Sequence, residues 1–255
     1  MTTGNYNIEI PELNRYFGAK FGGGMYQNII NLIPPHKAYF ELFGGSLAVF
    51  RNKKPALYSH LNDLSSTITP VYLKHFNLPN IKISNLSAIP ILQELESLLD
   101  PIDSFIYLDP PYIKATRRSI GQYSHEMSDD DHRVLLDIIN HFRCNVMISH
   151  YPNHLYDLAL ANWNTKSFKV MTRHGWQTEK VYFNYEVPTK LHDYSYLGNN
   201  FTDRQRIKRK ALRLKSKLSR LPELERAALI DMIKNDFIDS IHIAGHSTSP
   251  LCTFL

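Results

Sequence analysis

Asp109-Pro110-Pro111-Tyr112 follows directly on the apolar run FIYL at 105–108. Two consecutive prolines cannot continue the hydrogen-bonded ladder of a central strand, so the chain must turn out at the strand's C-terminal end. In an open parallel sheet, ligands bind at that edge. The turn gathers a carboxylate, the rigid carbonyl of Pro110 and the aromatic face of Tyr112. A carboxylate and a carbonyl together accept both hydrogens of a planar exocyclic amine, while the tyrosine stacks on the ring that bears it. Taken alone, the same tetrapeptide is equally well a simple turn, and its setting has to decide.

Two further groups supply a setting. Glu41-Leu42-Phe43-Gly44-Gly45-Ser46 closes the first apolar run, AYFELF (38–43), and leads into an apolar helix start. A glycine pair at Gly44 and Gly45 lets backbone approach a nucleotide-like ligand. Asp63 ends the next run, where an acidic residue can hold two ribose hydroxyls. Upstream, Tyr16-Phe17-Gly18-Ala19-Lys20 and Phe21-Gly22-Gly23-Gly24 precede a helical stretch at 25–33. Alone, that segment reads as a flexible N-terminal loop. Beside the other two motifs it reads as a flap over the ligand, with Lys20 facing a carboxylate.

The elements that must position these residues are legible in the hydrophobic pattern. Seven β-type runs occur, at 38–43, 56–61, 81–84, 105–109, 145–149, 165–171 and 180–186. Ser128 and Asp131 form a capping-box-like start for a helix at 128–142, with Val134, Leu135, Ile138 and Ile139 on one face. Alternation of strand and helix over the first five runs implies a mostly parallel, doubly wound sheet. Only TRHGWQTE joins the last two runs, too short for a crossover helix, so they pair antiparallel. The expected fold is thus an α/β, Rossmann-like sheet of about seven strands with an antiparallel last pair, followed by a helical appendage. The expected divisions are a catalytic domain at 1–188, a basic helical appendage at 189–245 and a weakly ordered tail at 246–255.

With 255 residues, 43% apolar and 21% charged, the chain can bury a substantial core. It contains no run of about 18 apolar residues that would span a membrane, and no signal-peptide pattern at its start. Cys144 and Cys252 lack metal-type spacing, which removes disulfide scaffolds and cysteine zinc ribbons and makes a reducing, cytoplasmic setting the expectation. Net charge is +5, but it is unevenly spread: residues 200–226 carry ten basic and three acidic residues, so the remainder is −2. A local basic run points to a polyanion, although by itself it is as readily a solvated helix face. Within it, Ile207, Ala211, Leu214 and Leu218 share one face of a helix at 202–218, and Pro222 opens a second at about 222–235. The 12 histidines show no zinc spacing with a third ligand. His125, His132, His141, His150, His154 and His174 therefore read as surface, loop or phosphate-facing groups, and Tyr151 and Tyr156 as core or rim aromatics. Arg117 and Arg118, just after the proline turn, are placed to meet backbone phosphates.

In this order of motifs, residues 15 to about 187 resemble the α-class DNA adenine-N6 methyltransferases of the GATC-methylase type, especially short phage-borne members. That family has a Gly-x-Lys flap, a Phe-Gly-Gly-type loop, an Asp after strand two and Asp-Pro-Pro-Tyr after strand four. The resemblance continues through HEMSDDDHRVLLDII, ISHYPNHLYDLAL and QTEKVYFNYEVP. It implies S-adenosylmethionine as cofactor, bound by Tyr16, Lys20, Phe43, Gly44, Gly45, Asp63 and Asp109, and a target adenine engaged by Asp109, Pro110 and Tyr112. It also implies DNA as partner, and the basic residues of the turn loops and of the 200–226 run, Lys114, Arg117, Arg118, Arg173, Lys208 and Arg209, are then the ones expected toward the phosphates. The implied reaction is direct attack of a flipped-out adenine amine on the sulfonium methyl, without an enzyme nucleophile. Three positions depart from the family pattern: Leu42 replaces a proline, Ser46 and Leu47 fill small or glycine positions, and Ser87 stands where an aspartate is usual. None removes a catalytic group, so their cost falls on cofactor affinity. Only 45 residues separate Asp63 from Asp109, too few for an inserted recognition domain, which implies short or relaxed specificity. Base contacts would then come from 113–127, the 172–179 turn or the C-terminal helices. The rival readings are a methyltransferase acting on RNA or a protein amide, and a DNA-binding regulator built on a decayed methylase.

Overall fold

The computed structural model describes residues 9–14, 20, 22–99, 103–116, 125–172 and 175–239. Its strands are β1 (Ala38–Glu41), β2 (Tyr58–Asn62), β3 (Ile81–Ser84), β4 (Ser104–Leu108), β5 (Asn145–His150), β6 (Asn164–Thr172) and β7 (Gly175–Phe183). They form one sheet in the order β3-β2-β1-β4-β5-β7-β6. The first five strands are mutually parallel, and β7 lies antiparallel between β5 and β6. The order reverses between β1 and β4, so the loops leaving those two strands part there and open a crevice at their C-terminal ends.

The helices are α1 (Pro11–Asn14), α2 (Met25–Ile30), α3 (Ala48–Asn52), α4 (Thr69–Phe76), α5 (Ala88–Glu96), α6 (Asp129–His141), α7 (His154–Ala159), α8 (Phe201–Ser219) and α9 (Glu223–Ile233). α6 starts where its sequence signal lies: Ser128 Oγ accepts from the Asp131 N–H, and the Asp131 carboxylate accepts from the Ser128 N–H. Strand residues alternate between two buried layers. Tyr39, Phe105, Tyr107, Met147 and Val181 join α2 and α4 on one face, whereas Phe40, Ile106, Leu108, Ile148 and Tyr182 meet α5 and α6 on the other. Burial on both faces explains why the strands read as nearly continuous apolar runs.

Two boundaries differ from expectation. β7 begins at Gly175, so most of TRHGWQTE, including Glu179, is strand; the expected 172–179 turn shrinks because β6 and β7 stay paired as far as Thr172 and Gly175. The chain divides into compact units at Phe201 and Thr202, not after 188. The intervening stretch is tied down: His192 N donates to Ile33 O at 2.9 Å, Lys54 N to Asp193 Oδ2 at 2.8 Å, and Asn31 Nδ2 to Tyr196 O at 2.6 Å. The second unit, described by itself, contains α8 and α9, neither of which has a buried residue. Within α8, Ile207 and Leu218 are half-buried, while Ala211 and Leu214 are exposed alongside Lys208 and Arg209. No helix among the described residues is long and apolar enough to cross a membrane. The expected tail at 246–255 lies outside the described residues.

Candidate active site

The two prolines end β4 at Leu108 and carry Asp109 out at the sheet edge. Every hydrogen bond to Asp109 among the described residues falls on Oδ1: Lys20 Nζ lies 2.9 Å away, Ser149 Oγ 3.0 Å and the Tyr112 hydroxyl 3.2 Å. Ser149 is itself 2.9 Å from the Tyr107 hydroxyl. Asp109 also lines the cleft. Burial raises the Asp109 pKa, Lys20 opposes that rise, and the negative charge of Glu179 adds to it. Burial alone would neutralise Lys20, but Asp109 and Glu179 outweigh it and hold the ammonium well above the usual lysine range.

Glu179, absent from the motif-based set, completes the group. Its Oε1 accepts from Lys20 Nζ at 2.7 Å and from the Tyr112 hydroxyl, and Lys20 also donates to the Tyr112 oxygen. The Tyr112 ring, expected to stack on a target base, is enclosed instead and only 6% exposed. Lys20 Nζ lies 4.7 Å from its centroid, His150 packs at 4.7 Å and Tyr151 meets it edge-on at 4.5 Å.

His150 holds the turn from beneath. Its Nδ1 lies 2.7 Å from the Tyr151 carbonyl, and its Nε2 accepts from the Ile113 N–H at 3.0 Å, which fixes a neutral tautomer with the proton on Nδ1. His150 and His132 are both fully buried, correcting their assignment to surface, loop or phosphate-facing roles. The C-terminal end of β5 abuts the proline turn, and burial follows from that position. Cys144 is a buried free thiol whose pKa burial pushes up to about 12, so it is no nucleophile at neutral pH.

The glycine loop is stiffer than its composition suggests. A Cβ on Gly44 would lie 2.6 Å from the Tyr72 hydroxyl, so this glycine is required by packing within the protein. Tyr72 donates to Gly45 O at 2.6 Å, and Gly45, at φ +49°, donates its N–H to Asp63 Oδ2 at 2.7 Å. Asp63 Oδ1 accepts from the Ser65 N–H at 2.8 Å. The Asp63 carboxylate therefore braces the loop as well as lining the cleft, and burial raises its pKa against these two bonds. Leu47, at φ +51°, is the one non-glycine residue in left-handed backbone among those described, and it is fully buried. Glu41 lies at the base of the loop, accepting from the Tyr39 hydroxyl at 2.7 Å and the Phe50 N–H at 3.1 Å. Burial pushes its pKa up to about 8.

These residues border a cleft of about 760 Å³ including its open mouth. Lys20, Glu41, Phe43, Gly44, Gly45, Asp63 and Asp109 all line it. Ser87 sits exposed at the start of α5, and Lys114 is exposed in the turn after Ile113. Lys208 and Arg209 belong to the second unit. Tyr16, Arg117, Arg118 and Arg173 lie outside the described residues.

The strand order and the crevice at the β1/β4 switch point define a Rossmann-like α/β protein with an antiparallel strand inserted next to its edge. No family model and no curated protein matches the chain. Among solved structures it is similar to a candidate methyltransferase solved with S-adenosylhomocysteine, at 13% identity and TM-score 0.42, over 62% of this chain and 47% of that one. It is also similar to the S-adenosylmethionine-dependent methyltransferase of Agrobacterium tumefaciens, at 13% identity and TM-score 0.39, over 63% and 60%. A third is a candidate RNA methyltransferase from Pyrococcus horikoshii, at 10% identity and TM-score 0.40, over 72% and 92%. The chain thus spans about half the length of the first of these. At such scores the hydrogen-bonded strand order and the site geometry define the class, and the similarity adds no weight.

Proposed function

We propose that this protein transfers a methyl group from S-adenosylmethionine to the exocyclic amine of adenine in DNA. The observation that carries this reading is the Asp109 carboxylate, fixed through Oδ1 at a proline turn and lining the cleft. The lining fits the cofactor: Asp63, Asp109 and Glu126 contribute carboxyl groups, suited to a ligand that carries a positive charge. Asp63 and the Phe43–Gly45 loop would hold its nucleoside end, and Lys20 lines the same cleft. When bound, the cofactor supplies an electrophilic sulfonium methyl.

The chain's own part is to make a poor nucleophile competent. The adenine lone pair is delocalised into the ring; hydrogen bonds from the amine to Asp109 Oδ2 and the Pro110 carbonyl favour a pyramidal nitrogen. The same two acceptors stabilise positive charge as it develops there. Tyr112 acts through its hydroxyl, which bridges Lys20, Glu179 and Asp109. An adenine inside a duplex cannot reach this crevice, so the base must flip out. The exposed basic residues of α8 would supply phosphate contacts without sequence information, consistent with short or relaxed specificity.

The test is methyl incorporation from labelled cofactor into duplex DNA, single-stranded DNA and RNA, with the modified base identified in the product. N6-methyladenine in DNA is the expected product. Asp109→Ala is expected to lower turnover at least about 10³-fold while cofactor affinity by calorimetry stays within a few-fold. Near-normal turnover in that variant refutes the assignment, exclusive labelling of RNA favours the RNA reading, and absent cofactor binding by the parent protein favours the decayed regulator.

A further inference from the structure

Glu179 is given no role by the sequence motifs, yet it touches the catalytic turn from a different strand. β7 runs between β5 and β6, pairing His150 with Lys180 and Phe168 with Glu179, which delivers the side chain beside Lys20 and Tyr112. It is 3% exposed. One buried ammonium is thus shared by two carboxylates, at 2.9 Å from Asp109 Oδ1 and 2.7 Å from Glu179 Oε1. We propose that Glu179 is a positioning residue of the methyl-transfer centre: by dividing the Lys20 ammonium with Asp109 and anchoring the Tyr112 hydroxyl, it keeps Asp109 a strong acceptor with Oδ2 turned to the substrate amine. This rests on the methyl-transfer reading given above.

The chemistry follows from charge. A lysine bound to Asp109 alone would neutralise that carboxylate and weaken its acceptance of the amine hydrogen. A second carboxylate draws the ammonium partly away, so Lys20, Asp109 and Glu179 together keep one net negative charge. That charge complements the positive charge that develops on the amine during transfer. Glutamine would fill the same volume and could hold the same hydrogen bonds, but it would not divide the ammonium. The groups facing Asp109 are Lys20 from the flap, Tyr107 from β4, Tyr112 from the turn, Ser149 from β5, Glu179 from β7 and, at longer range, Glu41 from β1. Among them Lys20 favours the anionic form of Asp109, and Glu179 disfavours it. Removing either charge must move the Asp109 titration, in opposite directions.

The decisive experiment is a titration of Asp109 in the full chain by carbon NMR of labelled aspartate, with the resonance assigned through Asp109→Asn. Glu179→Gln is expected to move the Asp109 midpoint to lower pH, and Lys20→Met to move it to higher pH. In turnover, E179Q is expected to lose about tenfold in kcat, the effect of one bond to a charged group. Its KM for the cofactor should hold, and the acid limb of its pH profile should move to lower pH. Glu179→Asp, which keeps the charge, is expected to retain the parental limb. A midpoint unchanged or raised in E179Q overturns the proposal, as does one unchanged or lowered in Lys20→Met, which carries the test should E179Q fail to fold. The titration needs neither cofactor nor DNA. Its failure is therefore distinct from that of the methyl-transfer reading, which falls if Asp109→Ala keeps its turnover.

Discussion

Replacing Glu41 with glutamine exchanges a buried carboxyl for a neutral group of the same shape. The side chain is 2% exposed, and burial raises its pKa from 4.5 to about 8 against the Tyr39 and Phe50 bonds that lower it. A carboxyl with raised native pKa contributes stability that is fully present below the unfolded value and lost as pH rises through the folded one. At about 1.4 kcal/mol per tenfold change in proton affinity, the full loss is about 5 kcal/mol, of which about 4 kcal/mol falls between pH 5 and pH 9. E41Q does not titrate there. Its stability relative to the parent should therefore improve by about 4 kcal/mol on going from pH 5 to pH 9. Lys53, buried nearby with its pKa lowered to about 7 mainly by burial, works in the opposite sense: its contribution is present at high pH and lost as pH falls. At pH 5 Glu41 is protonated, so E41Q changes no charge beside Lys53 there, and the Lys53 contribution cancels between the two proteins. Urea unfolding of both proteins at the two pH values measures this directly. A stability difference independent of pH would mean that Glu41 titrates normally and that the base of the loop is hydrated.

Two further expectations follow from other parts of the molecule. His150→Phe keeps a flat ring against Tyr156, at 4.2 Å in the parent, but removes the acceptor for the Ile113 N–H; it should cost about 1–3 kcal/mol in urea unfolding and lower turnover, and an unchanged unfolding midpoint would refute the role given to Nε2. Replacing Lys208, Arg209 and Lys210 together with glutamine should weaken binding to all duplexes alike and reduce the salt slope by about 0.9 for each phosphate no longer neutralised, whereas an unaltered slope in fluorescence titrations would remove α8 from the DNA-binding surface.

Much of the fold could be read directly because burial on both faces wrote β1, β4 and β5 as apolar runs, while Pro110 and Pro111 marked where β4 ends. The three ligand-side groups were legible for the same reason: glycines, an acidic strand end and a double proline each restrict the backbone in a recognisable way. Glu179 was missed because it follows a polar stretch that resembles a turn. Its signal was the two-residue period of a strand, since Glu179 is in phase with the buried Val181 and Phe183. His150 carried no local signal, because its burial depends on β5 ending against the proline turn, which only the strand order determines. The boundary at 188 was misplaced because His192, Asp193 and Tyr196 return to Ile33, Lys54 and Asn31 through hydrogen bonds that have no periodicity.

Leu47 also bears on how a ligand would be received. Left-handed backbone at a bulky residue costs on the order of 1 kcal/mol, and a glycine would avoid it. Glycine would also leave the N-terminal end of α3 free to swing, and its ordering would then be charged against ligand affinity. With the leucine side chain sunk into the core, that ordering is complete once the chain has folded. The Phe43–Leu47 loop is therefore a preorganised wall to which the ligand must conform.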